Sequence, residues 1–268
     1  MPRPVLSSVS AREAVHLLIL RALTRLKNDS AVVLKGGVNL RLFFGSVRYS
    51  EDMDLDGALE ARDAIRSSIK AIFKDREFLR VAQSMGIRGL DAGQGPNKDT
   101  ETTFRYKFGV VVQGDVRYPT KVEVSFRGRH GEDESAIDDV PPGLLAGYGL
   151  APISLNHYGR TAALRQKIEA LGGRTTVQAR DVFDLHTLAV GGMEEPLVAM
   201  LSAQVDKGLL QEAYRRALTI TFKEYEGQVL EFLTDDARAR FGTDEAWDGL
   251  RLEAATAIEA VLNRKEGS

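Results

Sequence analysis

AVVLKGGVNLRLFFGSVRYSEDMDLDG, residues 31–57, is the stretch that decides the fold of this 268-residue chain. Its first four residues are apolar and predict a short buried strand. A Lys-Gly-Gly turn follows, and a short helix is predicted over residues 38–44. A second strand is predicted around residues 53–55. A strand, a glycine turn, a helix and a second strand in this order predict a mixed α/β lobe.

This strand–helix–strand unit also carries residues with a chemical use. A Gly-Gly pair between a strand and a helix lets the backbone approach a phosphate, which the free N–H groups of the helix then stabilise. Side chains alternate along a strand, so Asp52, Asp54 and Asp56 are expected on one face. Two carboxylates at i and i+2 on a rigid strand can chelate Mg²⁺. The order of these features, each weak alone, predicts a site for phosphate and metal.

A third carboxylate would complete a two-ion site for phosphoryl transfer. The alternating pattern of residues 103–113 predicts a strand, and residues 121–126 predict another. Glu123 is the sole acid of the second of these strands, so it is the candidate third metal ligand. The alternative is that Glu123 lies on an exposed face and pairs with Lys121 or Arg127.

The pattern of the chain changes at about residue 156, after which only helices are predicted. Their approximate bounds are 158–171, 177–190, 195–205, 208–218, 222–234 and 244–264. We therefore predict an α/β (α+β) fold. It has an N-terminal lobe over residues 1–150, with a mixed β-sheet and flanking helices, and an all-helical lobe over residues 151–268.

The remaining local predictions concern the N-terminal lobe. Ser10–Glu13 has the sequence of a capping box and predicts the start of the first helix. Asn28–Ser30 predicts the end of that helix. Residues 58–74 are predicted to be helical, and the Gly- and Asp-rich residues 89–99 are predicted to form a loop.

Composition excludes several classes of protein. Apolar residues make up 43% and charged residues 28% of the chain, as in ordinary soluble globular proteins. There is no cysteine, so a disulfide partner and a thiolate metal site are excluded. No apolar run approaches the ~18 residues of a membrane span, so we expect a cytoplasmic protein without a membrane partner. The histidines show no zinc-binding spacing; they are His16, His130, His157 and His186.

Basic residues are concentrated in two segments, although the net charge is only −2. Residues 1–50 carry eight of them, which are Arg3, Arg12, Arg21, Arg25, Lys27, Lys35, Arg41 and Arg48. Residues 160–180 carry five more, which are Arg160, Arg165, Lys167, Arg174 and Arg180. The two segments either converge on a polyanionic substrate or form two solvated helix faces.

Two blocks of the sequence resemble a known family. The first is LKGGVNLRL at 34–42 with RYSEDMDLD at 48–56, and the second is RQKIEAL at 165–171 with RDVFDL at 180–185. In this order they resemble the signatures of the AbiEii/AbiGii-type nucleotidyltransferase toxin family. That family includes the mycobacterial MenT toxins and belongs to the polymerase-β-like nucleotidyltransferase superfamily. The resemblance spans residues 34–188.

The resemblance implies a division of roles at one active site. Asp52 and Asp54 would hold Mg²⁺ in a two-ion site. Glu123 would be the third metal ligand, although many relatives have Asp there. Lys167 and Asp181, from the helical lobe, would complete the catalytic set in the cleft, with Lys167 contacting the phosphates of the NTP. The alternative for Lys167 is an ordinary solvated lysine.

The same resemblance implies further contacts to the nucleotide. Together with Lys167, the residues expected to bind it are Lys35, Gly36, Gly37, Arg48 and Ser50. Asp184 lies three residues after Asp181 on the same predicted helix face. The two acids serve either catalysis or a stabilising network with Arg180 or Arg165.

As a whole, the sequence predicts a Mg²⁺-dependent nucleotidyltransferase that transfers NMP from an NTP to an acceptor hydroxyl. The resemblance implies that the acceptor is RNA, with the 3′ end of tRNA as the expected site, and that a cognate antitoxin is a partner. Two alternatives stay open. One is transfer to a protein or a small molecule, and the other is a nucleotide-binding partner protein without turnover.

Overall fold

The computed structural model describes residues 6–25, 31–92, 97–127 and 134–267. The predicted end of the first helix at Asn28–Ser30 lies outside these ranges. Arg3, Lys27 and His130 lie outside them too. Among the described residues, no helix has the length and apolar character needed to cross a bilayer.

The described chain forms two compact units. One contains the residues up to Phe43 together with Tyr49–Tyr158, and the other contains Phe44–Arg48 together with the residues from Gly159 onward. The short segment Phe44–Arg48 therefore belongs to the helical unit, although it lies within the α/β part of the sequence. The mixed α/β fold followed by helices, predicted above, is confirmed.

One sheet of eight strands organises the described part of the first unit. The strands are β1 (Val32–Lys35), β2 (Met53–Gly57), β3 (Ile87–Asp91), β4 (Lys98–Asp99), β5 (Thr103–Val112), β6 (Arg117–Ser125), β7 (Ser135–Asp139) and β8 (Ser154–Tyr158). Their order is β3-β5-β6-β2-β1-β8-β7, with β4 paired to β5. The pairs β1–β8 and β2–β6 are parallel and the others are antiparallel, so the sheet is mixed.

Helices pack on one face of this sheet, and the hydrophobic core of the first unit lies between them and the strands. The helices of the first unit are α1 (Ser8–Leu23), α2 (Gly36–Phe43), α3 (Arg62–Ile72), α4 (Arg76–Ser84) and α5 (Pro142–Gly147). The buried cluster joins apolar residues of α1, α3 and α4 to Leu55, Val122 and Val124 of the central strands. Because side chains alternate along a strand, the charged residues between these apolar ones lie on the opposite face.

The start of α1 differs from the predicted capping box at Ser10–Glu13. The N-cap is Ser7, whose side chain accepts a hydrogen bond from the backbone N–H of Ser10. Glu13 does not reach back to the backbone, because its carboxylate accepts hydrogen bonds from Arg41 and Tyr148. The helix therefore begins at Ser8, since Ser7 supplies the cap that a first-turn N–H requires.

Four strands were missed by the sequence analysis because pairing, rather than local pattern, creates them. β3 and β4 lie partly in the predicted loop 89–99 and pair with β5. β7 and β8 pair with each other, and β8 also pairs with β1. The first unit therefore continues to Tyr158, beyond the predicted boundary at residue 150.

The second unit is helical throughout its described elements. These helices are α6 (Arg160–Gly173), α7 (Ala179–Ala189), α8 (Glu195–Gln204), α9 (Lys207–Thr219), α10 (Phe222–Gln228), α11 (Asp235–Phe241) and α12 (Asp244–Glu266). The helix predicted over 222–234 ends at Gln228, and a 3-10 turn at Leu230–Phe232 separates it from α11. Trp247 and Tyr225 are buried among these helices. Their rings stack with centroids 4.3 Å apart.

Candidate active site

A row of four charged side chains, two acids between two bases, crosses the face of the sheet opposite the hydrophobic core. Strand register pairs Lys35 of β1 with Asp54 of β2, and Asp54 with Glu123 of β6. Glu123 is paired in turn with Arg105 of β5. Paired residues on neighbouring strands project from the same face, so the four side chains lie side by side. Because β2 and β6 run parallel, two carboxylates occupy the centre of the row.

Two of the three predicted metal ligands have a basic partner. Lys121 Nζ lies 2.9 Å from Asp52 Oδ2, and Arg105 Nε lies 2.5 Å from Glu123 Oε2. Among the residues that the structure describes, Asp54 has no such ion pair. Asp54 is thus the carboxylate with the greatest capacity for another positive charge.

Electrostatic coupling among these acids is visible in their pKa values. Burial raises the pKa of the Asp54 carboxyl, and the charges of Asp52 and Glu123 raise it further, although Lys121 and Lys35 act in the opposite direction. For Glu123 burial also acts to raise the pKa, but the hydrogen bond and charge of Arg105, with help from the two lysines, lower it overall. Of these two acids, Asp54 is therefore the one whose ionised form is disfavoured by its surroundings.

Asp56 shares the face of Asp54 but has a different environment. Its side chain is buried, and it accepts hydrogen bonds from Lys35 Nζ at 2.5 Å and from the Tyr158 hydroxyl at 2.8 Å. Lys35 is therefore tied to Asp56, two positions beyond its register partner. These contacts give Asp56 a structural role in joining β1, β2 and β8.

Gly36 brings the first turn of α2 against the Asp54 carboxylate. Its φ is +70°, and a Cβ built on it would lie 2.9 Å from Asp54 Oδ2. Glycine is required at position 36 for two reasons. Other L residues disfavour this φ, and a Cβ would be too close to the Asp54 carboxylate. The absence of a side chain lets the helix start beside the acid, where the helix dipole favours negative charge.

The carboxylates do not form a complete metal cage as they stand. Within the described ranges, no three Asp, Glu or His side chains are close enough together to hold an ion. The donor chemistry nevertheless fits a hard divalent cation. Asp54 and Glu123 are neighbours on parallel strands, Asp52 is electrostatically coupled to Asp54, and carboxylate oxygens are the ligands that Mg²⁺ prefers.

Two of the residues predicted to bind the nucleotide, Ser50 and Arg48, make contacts within the protein. The Ser50 hydroxyl donates to the carbonyl of Asp52 at 2.7 Å, which shapes the turn before β2. Arg48 is 4% exposed and forms a two-pronged ion pair with Asp184, at distances from 2.8 to 3.1 Å. The guanidinium of Arg48 is thus engaged within the helical unit.

The predicted residues Lys167 and Asp181 lie in the same buried cluster as this pair. Lys167 Nζ is 2.6 Å from Asp184 Oδ2 and 3.1 Å from Asp181 Oδ1. Arg174 Nη1 approaches Asp181 Oδ2 at 3.4 Å. Both aspartates are completely buried. The network predicted for these acids therefore exists, but its cations are Arg48, Lys167 and Arg174 instead of Arg180 or Arg165.

The charges in this cluster stabilise one another. Burial acts to lower the pKa of Lys167, but Asp184 and Asp181 raise it overall. Burial acts to raise the pKa of Asp184, but Arg48 and Lys167 lower it overall. Lys167 is therefore not a solvated lysine. It is a buried ammonium group whose charge depends on two aspartates of α7.

Several basic side chains of residues 1–50 have partners inside the protein. Arg12 donates to the carbonyl of Pro119, Arg41 to Glu13, Arg48 to Asp184 and Lys35 to Asp56. Of the six basic residues of this segment that the structure describes, at least four thus serve internal contacts. Their abundance in the sequence does not by itself indicate a surface for nucleic acid.

Proteins of known structure with a similar fold include nucleotidyltransferases. The chain shares its fold with nucleotidyltransferases of known structure. MenT4, a nucleotidyltransferase toxin from Mycobacterium tuberculosis H37Rv, matches with a TM-score of 0.57 at 16% identity, over 96% of this chain and 93% of that one. JHP933 from Helicobacter pylori matches with a TM-score of 0.52 at 19% identity, over 98% and 96% of the two chains.

The family can be stated more narrowly. Residues 18–253 match the family described as nucleotidyl transferase AbiEii toxin, type IV toxin–antitoxin system. The chain therefore belongs to the AbiEii family of nucleotidyltransferase toxins, and the family resemblance seen in the sequence is confirmed. A search of curated proteins found no match.

Arg105 and Tyr158 shape the site but were not singled out by the sequence, and Lys121 was named only as a partner of Glu123, whereas it pairs with Asp52 and Arg105 pairs with Glu123. Lys121 and Arg105 neutralise two of the acids, and Tyr158 holds Asp56. Strand alternation offered a signal for Lys121, since it lies two positions before Glu123 and must share its face. Tyr158 gave no comparable signal, because its strand becomes recognisable only through pairing.

The contact between Gly36 and Asp54 can be tested by substitution. Gly36→Ala should displace the Asp54 carboxylate and lower nucleotidyl transfer by at least about tenfold, because we expect Asp54 to act in the reaction and a small misplacement of such a group is costly. Gly149→Ala is the matched control. Gly149 has a φ of +65°, and among the described residues no atom lies within 4 Å of a Cβ built on it. Both variants should lose about 1–2 kcal/mol of stability from backbone strain. Equal transfer by the two variants would contradict the role of the contact.

The buried cluster predicts a stability change with a defined pH dependence. Asp184→Asn removes the carboxylate that pairs with Arg48, leaves Lys167 with Asp181 alone, and should cost about 3–5 kcal/mol of unfolding free energy. The folded pKa of Asp184 is depressed. Its contribution is therefore present above the unfolded pKa of about 3.9 and lost as pH falls through the folded pKa.

Urea unfolding at several pH values measures this effect. The gap between wild type and Asp184→Asn should be full near neutral pH and should narrow in acid. Glu259→Gln changes an exposed acid on α12 and should leave stability nearly unchanged. A gap that is constant with pH would show that the carboxylate charge is not what stabilises the cluster.

Proposed function

We propose that this toxin transfers a nucleoside monophosphate from an NTP to an acceptor hydroxyl, with release of pyrophosphate, in a Mg²⁺-dependent reaction. The observation that supports this most directly is the placement of Asp54 between Gly36 and Glu123. Strand register and a glycine contact together put Asp54, a carboxylate with no ion pair among the described residues, beside a helix N-terminus. Such a position suits a metal-bound triphosphate.

In this proposal Asp52, Asp54 and Glu123 would hold the cation. When bound, Mg²⁺ supplies charge neutralisation of the triphosphate and activation of the attacking hydroxyl. Lys121 and Arg105 pair with Asp52 and Glu123. In this proposal their ammonium and guanidinium groups would also contact phosphate oxygens of the triphosphate.

The phosphates would lie on the first turn of α2. Gly36 and Gly37 carry no side chain, so the backbone N–H groups of this turn can approach phosphate oxygens closely. Ser50 keeps the preceding turn in place through its hydrogen bond to the Asp52 carbonyl. Lys35 remains tied to Asp56, and its charge lowers the pKa of the neighbouring acids.

Lys167 is proposed to contact the nucleotide phosphates, with Asp181 and Asp184 keeping it charged. A lysine that donates to phosphate stabilises the negative charge that develops during transfer. The directions of the pKa changes support this, because Lys167 retains its charge in spite of burial. Asp184 contributes to catalysis only through Lys167 in this scheme.

RNA is the proposed acceptor, with the 3′ end of tRNA as the site of addition, and a cognate antitoxin is the proposed partner. The family to which the chain belongs is that of a type IV toxin–antitoxin system, which supports the antitoxin. The RNA acceptor rests on the family resemblance, since at least four of the six N-terminal basic residues that the structure describes serve internal contacts.

Labelling tests the reaction and identifies the acceptor. The protein is incubated with Mg²⁺, total RNA, total protein and each α-labelled NTP in turn. Wild type should label RNA, and Asp54→Asn should abolish labelling with little loss of stability, because within the described ranges Asp54 has no ion pair to lose. Asp139→Asn, on the exposed edge strand β7, is the matched control and should label as wild type does.

The outcomes of this experiment separate the alternatives. Label in the protein fraction or in small molecules would replace RNA as the acceptor. An Asp54→Asn variant that keeps activity within about tenfold would contradict the metal assignment, since loss of a metal ligand affects every step that the cation supports. No label with any nucleotide, together with nucleotide binding, would favour a partner protein without turnover.

A substitution at Lys167 tests the proposed phosphate contact. Lys167→Ala should lower kcat/KM for the NTP by on the order of 10²-fold. Lys207→Ala is the control, because Lys207 is a half-exposed lysine that also pairs with an acid, Glu266. Steady-state kinetics are measured well below the unfolding temperature of each variant. Unchanged kinetics would leave Lys167 with a purely structural role.

A further inference from the structure

The first helix carries polar side chains into the interior of the α/β unit. Arg12, Glu13 and His16 are all 9% exposed or less, which is unusual for residues of these types. Arg12 Nε donates to the carbonyl of Pro119 at 2.9 Å. His16 Nε2 lies 2.8 Å from Thr120 Oγ1. One face of α1 thus holds the start of β6 by two hydrogen bonds.

The hydrogen bonds continue from Thr120 to the edge of the active site. The Thr120 hydroxyl donates to the carbonyl of Glu51 at 2.6 Å. A hydroxyl has one proton to donate, so His16 Nε2 must be the donor in the bond to Thr120. Burial, with the charge of Arg12, lowers the pKa of His16 to about 3. His16 is therefore neutral, with its proton on Nε2.

This chain of hydrogen bonds ends on the residue before Asp52. Glu51 precedes β2, so its carbonyl lies outside the register of the strand pairs that hold Met53 onward. Thr120 shares the core face with Val122, whereas Lys121, which pairs with Asp52, lies on the opposite face. The hydroxyl therefore holds the backbone of Glu51 from the core side, and the ammonium group holds Asp52 from the other.

We propose that His16 and Thr120 are positioning residues that fix the Glu51–Asp52 backbone so that the Asp52 carboxylate can bind the divalent cation. This inference rests on the proposed metal-dependent transfer. Neither residue touches the metal or the nucleotide. Their effect comes through the peptide between Glu51 and Asp52, whose carbonyl accepts from the Thr120 hydroxyl, while the carbonyl of Asp52, in the next peptide, accepts from Ser50.

The geometry explains why a hydroxyl and an imidazole are needed. Valine has nearly the shape of threonine but cannot donate to the Glu51 carbonyl, and it leaves the Nε2–H of His16 without an acceptor. Serine retains both functions. Glutamine at position 16 can present an amide N–H near the position of Nε2, whereas leucine cannot. Pairs of similar size thus separate hydrogen bonding from packing.

Metal binding is measured directly, without nucleotide, by titrating Mn²⁺ into the full-length protein and following the electron paramagnetic resonance signal of free Mn²⁺. Thr120→Val should raise the apparent Kd for Mn²⁺ by about tenfold, because a ligand displaced by a fraction of an ångström loses much of its coordination. Thr120→Ser should remain near wild type. His16→Leu should resemble Thr120→Val, and His16→Gln should be intermediate.

Kinetics give a second measurement. Thr120→Val should lower kcat by on the order of tenfold and change the KM for NTP less, since the displaced group acts on the reacting atoms. Thr24→Val is the matched control. Its hydroxyl donates to the carbonyl of Arg21 at 2.8 Å, at the other end of the same helix. It should bind Mn²⁺ and turn over NTP as wild type does.

Thermal unfolding is recorded for every variant. A lower Tm for Thr120→Val with unchanged Mn²⁺ affinity would overturn the inference, because the hydrogen bonds would then be purely structural. If Thr120→Val does not fold, the pair His16→Leu and His16→Gln decides, and equal Mn²⁺ affinity in these two overturns the inference.

Failure of the proposed function gives a different result. In that case wild type and Asp54→Asn bind Mn²⁺ equally weakly, and the positioning role falls with the metal site. If wild type binds Mn²⁺ and Asp54→Asn does not, the metal site stands. Wild-type affinity in Thr120→Val would then overturn the positioning role alone.

Discussion

Parallel pairing of β2 with β6 is the constraint on which the site depends. It places Asp54 and Glu123 side by side, and two neighbouring carboxylates repel each other unless cations neutralise them. The antiparallel neighbours on each side supply the cations, Lys35 from β1 and Arg105 from β5. The strand order therefore brings the two carboxylates together, and it also supplies the positive charges that reduce their repulsion.

Gly36 adds a second constraint to the same strand. The open backbone at this position lets α2 begin against the Asp54 carboxylate, so a helix N-terminus and an acid share one place. This arrangement favours the ionised acid through the helix dipole, whereas burial and the neighbouring acids favour the protonated acid. A divalent cation would satisfy all of these charges together, which is the physical basis of the proposed Mg²⁺ site.

The helical unit solves a similar problem by different means. Asp181 and Asp184 are completely buried, and the cations that neutralise them include Arg48, from the segment Phe44–Arg48 far away in sequence. Removing one partner from such a cluster leaves buried charge uncompensated, which is far more costly than losing an exposed ion pair. The cluster thus fixes the charge and position of Lys167.

The sequence alone determined the strand–glycine–helix–strand unit, the alternation of Asp52, Asp54 and Asp56, and the family. Each of these depends on neighbouring residues or on short motifs. It could not show that Asp56 is buried against Tyr158, that Arg48 pairs with Asp184, or that His16 contacts Thr120. In each of these contacts the partners lie about a hundred or more positions apart in the chain.

Only the tertiary structure decided which of the conspicuous residues are open to a ligand and which serve internal contacts. Local patterns report the periodicity of a strand or helix, and they therefore identify the face on which a side chain lies. The partner that a charge finds on that face is set by strand order and helix packing. Asp54 and Asp56 share one strand and one face, yet the positions of Gly36, Lys35 and Tyr158 give them different roles.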